Sequence, residues 1–254
     1  LKHLQSAFLF SIVTAASLSL AGCGGGGGGS NATPATVANT NSSHYLPLFA
    51  GNTWTLASGG SLADQGTITL SCTCPDNGQQ VERVDAFAAT SGGLLGSFFF
   101  AKYTPAGATS EITTLIGIQA AGATTMTITS TTGYPYGLAI LDDSPHAGES
   151  WSDGLGDTST ITSVGGTIPI ANNQQVINVA SDTISGGSSS TSWSFAKGVG
   201  FASISQGGQT TNLSSFSVNA LQSMALRPKR VVAGVSSSKP IGVAALVAGL
   251  LGGR

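Results

Sequence analysis

Charge is what this sequence has least of. Only 8% of its 254 residues are charged, against about 25% in an ordinary soluble domain. Nine basic and eleven acidic residues leave a formal net charge of −2. Nucleic-acid partners are excluded on that ground, because they call for Lys and Arg clustered on one face. Histidine and cysteine are scarce, with three of each. There is no Gly-x-Ser-x-Gly elbow, no His-Glu-x-x-His pair and no Gly-x-x-x-x-Gly-Lys-Ser/Thr phosphate loop, so no enzyme class, catalytic residue or cofactor is assigned. Both apolar runs, Ala7–Leu20 and Ile241–Leu251, fall short of the ~20 residues that cross a bilayer as a helix.

Glycine, serine and threonine fill the space that charge leaves, with 36 glycines in all. Such composition suits an exported β protein whose surface is wetted by hydroxyls. The order of segments agrees. Lys2 and His3 make a weakly basic start, Ala7–Leu20 is an apolar core of signal-peptide length, and small residues follow as a cleavage site requires. Leu20-Ala21-Gly22-Cys23, followed at once by Gly24 to Gly29, resembles the lipobox of bacterial lipoproteins. The resemblance implies that residues 1–22 are a lipoprotein signal peptide and that Cys23 carries the lipid. Its diacylglyceryl group, usually joined by a further acyl chain, would hold the membrane stably, since two or more chains are needed. Gly24 in place of aspartate implies the outer membrane, with the domain facing the periplasm or the cell surface. Residues 23–43 then read as a Gly/Ser/Thr-rich tether, 44–222 as a β-rich domain, and 223–254 as a tail with basic and apolar stretches.

Within the domain, alternation dominates. Ile68, Leu70 and Cys72 share one face of a strand, and Met126 and Ile128 share another. Similar runs are Val81–Ala89, Leu94–Tyr103, Glu111–Ile118, Thr158–Val164, Gln174–Ser181, Ser190–Lys197, Gly200–Gln206 and Gln209–Ala220. Breaks fall at Asn77-Gly78, Gly92-Gly93, Gly165-Gly166, Gly186-Gly187 and Gly207-Gly208, dipeptides suited to tight hairpins. The expected fold is mainly β: an antiparallel, strongly curved sheet or a closed or half-open barrel, with few short helices. An internal repeat is visible in Pro47…Gly51…Trp54 and Pro145…Gly148…Trp151, each a turn leading into a strand. The tryptophans read as core anchors. Tyr45 to Trp54 (Tyr-x-Pro-Leu-x-x-Gly-Asn-x-Trp) and Trp193 to Gly200 (Trp-x-x-Ala-x-Gly-Val-Gly) resemble a family of uncharacterised β-rich lipoproteins of the bacterial envelope. That resemblance implies a β domain and no particular activity.

Three places invite chemistry. Cys72 and Cys74 meet an oxidising compartment after export, and a disulfide between residues two apart on a strand is permitted but strained; free buried thiols are the alternative. Without a second pair of ligands they make a poor zinc site. Asp153-Gly154-Leu155-Gly156-Asp157 has carboxylates and flexible glycines in a loop, so Asp153 and Asp157 are weak calcium candidates beside the plainer reading of a solvated acidic loop. His146, near Asp142 and Asp143 in sequence, could pair a base with its orienting carboxylate. The expected function is a binding or interaction module held at the membrane by its N-terminal lipid, for an apolar ligand or an envelope partner. The alternatives are a purely structural, surface-exposed envelope protein, or a hydrolase built round His146. A cavity lined by apolar residues favours the first; a filled interior favours the second.

Overall fold

The computed structural model describes residues 34–37, 44–70, 77–89, 91–123, 125–128, 137–186, 189–219, 230–231 and 236–238. The chain divides into two compact units, Leu1–Ala32 and Thr33–Arg254, and only the second contains described residues. Among these there is no helix. The sixteen strands are β1 (Ala35–Val37), β2 (Thr53–Leu56), β3 (Ser61–Thr69), β4 (Gln80–Phe87), β5 (Leu94–Tyr103), β6 (Ile112–Ala120), β7 (Thr125–Ile128), β8 (Leu138–Asp142), β9 (Ser150–Ser152), β10 (Asp157–Ile170), β11 (Gln174–Gly186), β12 (Ser189–Ala196), β13 (Gly200–Gln206), β14 (Gln209–Ser217), β15 (Arg230–Val231) and β16 (Ser236–Ser238).

Twelve of them form one antiparallel sheet in the order β8-β6-β5-β4-β3-β2-β14-β13-β12-β11-β10-β9. The sheet curls until β8 lies beside β9 and β10, so it is nearly closed into a barrel. Its chain-terminal strands are joined: β2 pairs with β14 from Thr53 opposite Ser217 to Leu56 opposite Leu213. The gap falls at mid-chain, where among the described residues β8 pairs only with β6. Closing a sheet on itself removes the exposed edges that would otherwise recruit other strands.

The repeat in the sequence is a repeat in the backbone. Gly51 and Gly148 both take a positive φ, +92° and +90°, which an L side chain rarely adopts. Each donates its N–H across the sheet, Gly51 to the Asp64 carbonyl at 2.9 Å and Gly148 to the Ile161 carbonyl at 2.7 Å. Each following residue, Asn52 or Glu149, accepts the N–H of that same partner at 2.8 Å. The two motifs start the two six-stranded halves, β2–β6 with β8, and β9–β14. The junction that would match β2–β14 is β9–β8, and it is the one left open.

Cross-strand register explains the interior. Val84 lies opposite Phe98, and Asp182 opposite Trp193. Strands β5 and β12 stand six places apart in the sheet, on facing walls. Their rings nevertheless touch: Phe98 and Trp193 centroids are 5.6 Å apart, edge to face. Phe100, Phe195, Phe201 and Trp54 extend the cluster, Trp54 meeting Phe201 at 5.2 Å. Such edge-on pairs add about 0.5–1.5 kcal/mol each beyond burial. The Trp54 indole N–H donates to the Val199 carbonyl at 2.6 Å. Trp151 is half-buried and packs on the same core.

Ile68, Leu70, Val81, Phe99, Ile116 and Met126 form a second buried cluster. Phe99 alternates with Phe98 and Phe100, so this cluster lies on the outer face of the sheet. Both faces of β5 are therefore covered, which accounts for the unbroken Phe98-Phe99-Phe100 run. All five residues of β8 are buried too, and its apolar run shows no period-2 signal.

Three details go beyond the sequence reading, and the first of them corrects it. Gly165-Gly166 is no hairpin turn; it is an irregularity inside β10, where the register slips. The turn between β10 and β11 uses Asn172 and Asn173 at φ +61° and +53°, values asparagine tolerates better than most side chains. Beyond that kink the hairpin crosses the neighbouring strands, and the Asn212 amide on β14 reaches the Pro169 carbonyl on β10 at 3.5 Å. Second, the tether contains β1, which runs parallel to Gln174–Val176 of β11. Partner β12 reaches only as far as Val179 along β11, so β1 takes the vacant edge. Third, β15 and β16 in the tail pair parallel to β3 and β7.

Gly200 tests the core. Its φ is +101°, and a Cβ there would sit 2.7–2.8 Å from the Trp54 indole. Gly200→Ala is expected to cost roughly 2–4 kcal/mol, read as a lowered midpoint in urea unfolding. Gly207→Ala, with positive φ but open space round it, should cost distinctly less. Equal losses at the two positions would show that backbone strain alone, and not the Trp54 contact, sets the cost.

Candidate functional site

One end of the barrel holds a cluster of ionisable groups. Glu82 on β4 lies opposite Phe100, and Lys102 follows two residues along β5. Both therefore share the face that carries Phe98 and Phe100 inward. The Lys102 ammonium is 3.1 Å from Glu111 Oε1, just before β6. Glu111 in turn lies 3.8 Å from His44 Nδ1, and His44 is hydrogen-bonded to the Asp143 carboxylate. The other Asp143 oxygen accepts the Tyr45 N–H at 3.2 Å. His44 precedes β2, Glu111 closes the β5–β6 loop, and Asp143 follows β8. Barrel curvature thus brings together groups that are 99 positions apart in the case of His44 and Asp143.

The backbone secures this arrangement. Gly198 donates its N–H to the His44 carbonyl at 2.8 Å, tying the segment before β2 to the β12–β13 turn, and Asp143 donates to the Glu111 carbonyl at 3.0 Å. Side chains of His44 and Glu111 are about one-third exposed, and that of Asp143 is 13% exposed. Donor atoms of His44, Glu111 and Asp143 all lie within 4.8 Å of one another. One imidazole nitrogen and two carboxylates form a donor set that metal ions of intermediate softness accept.

Deeper in lies Asp64, only 3% exposed. Its Oδ1 accepts the Gly66 N–H at 2.7 Å, while Oδ2 has no hydrogen-bond partner among the described residues. Burial, then the neighbouring Glu82 carboxylate, push its pKa up to about 7, against the pull of backbone N–H groups and Lys102. Burial likewise raises Glu82, with the Thr67 hydroxyl and Lys102 opposing. Asp182, fully buried beside Trp193, is a second case. Burial raises it to about 7 although Ser159 donates to its Oδ1 at 2.7 Å.

The residues singled out in the sequence fare differently. Cys23, Cys72 and Cys74 lie outside the described residues. Asp153 and Asp157 are buried in the β9–β10 turn. Asp153 Oδ1 accepts the Leu155 and Asp157 N–H groups at 2.6 and 3.0 Å, so this carboxylate closes the turn. His146 does not join the Asp142–Asp143 pair; it is exposed in the structure, and its N–H faces Glu149 at 3.4 Å. Asp142 engages the Ser110 hydroxyl at 2.9 Å and the Ser144 N–H at 2.6 Å. The histidine that meets a carboxylate is His44. No local motif marks it, because its partners come from other strands; the one signal was its place just ahead of the Tyr45–Trp54 stretch.

Comparison of the chain with protein-family models, curated proteins and solved structures gave no match.

A pH dependence follows from Asp64 and Asp182. Both are raised in the fold, so between about pH 4 and 7 the folded chain holds protons that the unfolded chain has released. Stability from these groups is present in full below pH 4 and is lost as pH rises through about 7, by up to ~4 kcal/mol for each. Asp182→Asn keeps the shape and removes the charge. It should raise the melting temperature at pH 8 and change it little at pH 4; an equal shift at both pH values would refute the protonation argument.

Proposed function

We propose that this chain is a lipid-anchored protein of the bacterial cell envelope with the structural, surface-exposed role, acting through its outer face and not as a carrier. The observation that carries the reading is the Phe98–Trp193 contact, with centroids 5.6 Å apart. Twelve strands are enough to enclose a lumen for a guest. Here rings from facing walls meet, and residues such as Leu115, Phe195 and Ile184 around them are buried completely. An apolar cargo would have to displace that core, so the filled interior supports a surface role over a carrier role.

The surface suits that task. Directly opposed hydroxyls pair along the strands: Ser181 with Ser194, Thr183 with Ser192 and Ser205 with Thr210, at 2.8–2.9 Å. These ladders satisfy polar groups without charge, and they present a neutral, hydrogen-bonding face to envelope partners or glycans. The lipobox-like Leu20–Cys23 and the glycine run supply the attachment, with the outer membrane as the expected site.

Two measurements test the reading. Cys23→Ala is expected to abolish palmitate labelling and membrane partitioning; retention of both would refute the anchor. Native mass spectrometry of that unlipidated protein should give the bare chain mass. A co-purifying apolar ligand, kept in more than one expression host, would restore the carrier reading.

A further inference from the structure

The ionisable cluster at the barrel rim holds a feature that the surface role does not use. His44, Glu111 and Asp143 converge from three separate segments, with donor atoms within 4.8 Å of one another. Their positions are held from outside the cluster, by the Gly198 N–H on the His44 carbonyl and the Tyr45 N–H on Asp143. Supporting hydrogen bonds of this kind orient the donors of metal sites.

A second observation concerns the carboxylates that face Lys102. Asp64 is 97% buried by its 3% exposure, and its Oδ2 is unpartnered among the described residues. Glu82 Oε2 is likewise buried and unpartnered. Both carboxylates interact electrostatically with Lys102, whose ammonium reaches Glu111. Lys102 thus faces three carboxylates, Asp64, Glu82 and Glu111, while His44 faces Glu111 and Asp143. Unpaired buried acceptors are costly, and carboxylates gathered with so little positive charge gain from a cation among them.

We propose that His44 Nδ1 and the carboxylates of Glu111 and Asp143 form a three-donor site for a divalent metal ion of the borderline class, such as Zn²⁺. Three protein donors leave coordination open for water or for a partner's ligand. Hard ions such as Mg²⁺, which prefer six oxygens, are poorly served by this set. Lys102 competes with the metal for Glu111, so a modest affinity is expected. The inference does not depend on the lipid anchor.

The test is isothermal titration of the full chain in detergent with Zn²⁺ alone, with Mg²⁺ as comparison. One equivalent of Zn²⁺ should bind saturably, and Mg²⁺ should not compete. Glu111→Gln and His44→Gln should each weaken binding at least tenfold, whereas Glu149→Gln, outside the cluster, should leave it unchanged. Glu111 is one-third exposed and has no backbone to hold through its side chain in the contacts described, so Glu111→Gln is expected to keep the wild-type circular dichroism. Co²⁺ gives a second readout: its visible absorption should appear with the wild type and vanish with His44→Gln. Absence of saturable one-to-one binding, or wild-type affinity in Glu111→Gln, would overturn the proposal.

Discussion

Aromatic contact across the barrel is the constraint on which the rest depends. Phe98 and Phe100 come from one half of the repeat, Trp193 and Phe201 from the other. Neither half can bury these rings alone, because a six-stranded sheet has one open face. Once they meet, the walls are pinned, and β2 and β14 are brought together to close the sheet. Most polar groups then go to the outer face, the turns or the rim, with Asp182 left buried beside Trp193. Hydroxyl ladders occupy the outer face, Asp153 closes a turn, and His44 with its carboxylates takes the rim.

Charge scarcity and the buried acids belong to one picture. A chain with so few charges can place most of them deliberately. Lys102 sits among Glu82, Asp64 and Glu111, and Arg83 is spent on Asp85, which also accepts the Ser97 hydroxyl at 2.6 Å. Asp64 also helps to hold the turn before β2, through the Gly66 amide and the Asn52–Asp64 backbone pair.

Much of this was legible in advance, for physical reasons. Leu94–Tyr103 and Gly200–Gln206 could be read to their ends, because turn residues bound them. The repeat round Gly51 and Gly148 was visible because positive φ selects glycine. What escaped notice has causes too. Leu138–Asp142 is buried on both faces and so shows no alternation. Gly165-Gly166 looks like a turn because the same backbone freedom serves an irregular strand. The rim cluster could not be read at all: His44, Glu111 and Asp143 are neighbours only through closure of the barrel, and His146 drew attention merely by standing near Asp142 and Asp143 in the chain.

The open seam between β8 and β9 gains meaning from the duplication. A barrel built from two like halves has two junctions, and here one is zipped while the other is not. Breathing of the barrel should therefore be one-sided, with β2–β14 as the hinge and β8–β9 as the lip. Asp143 stands in the link that spans that lip, and Glu111 borders the strand that β8 pairs with, while His44 leads into the hinge strand β2. The contact of those three side chains therefore ties the segment beside the lip to the strand at the hinge.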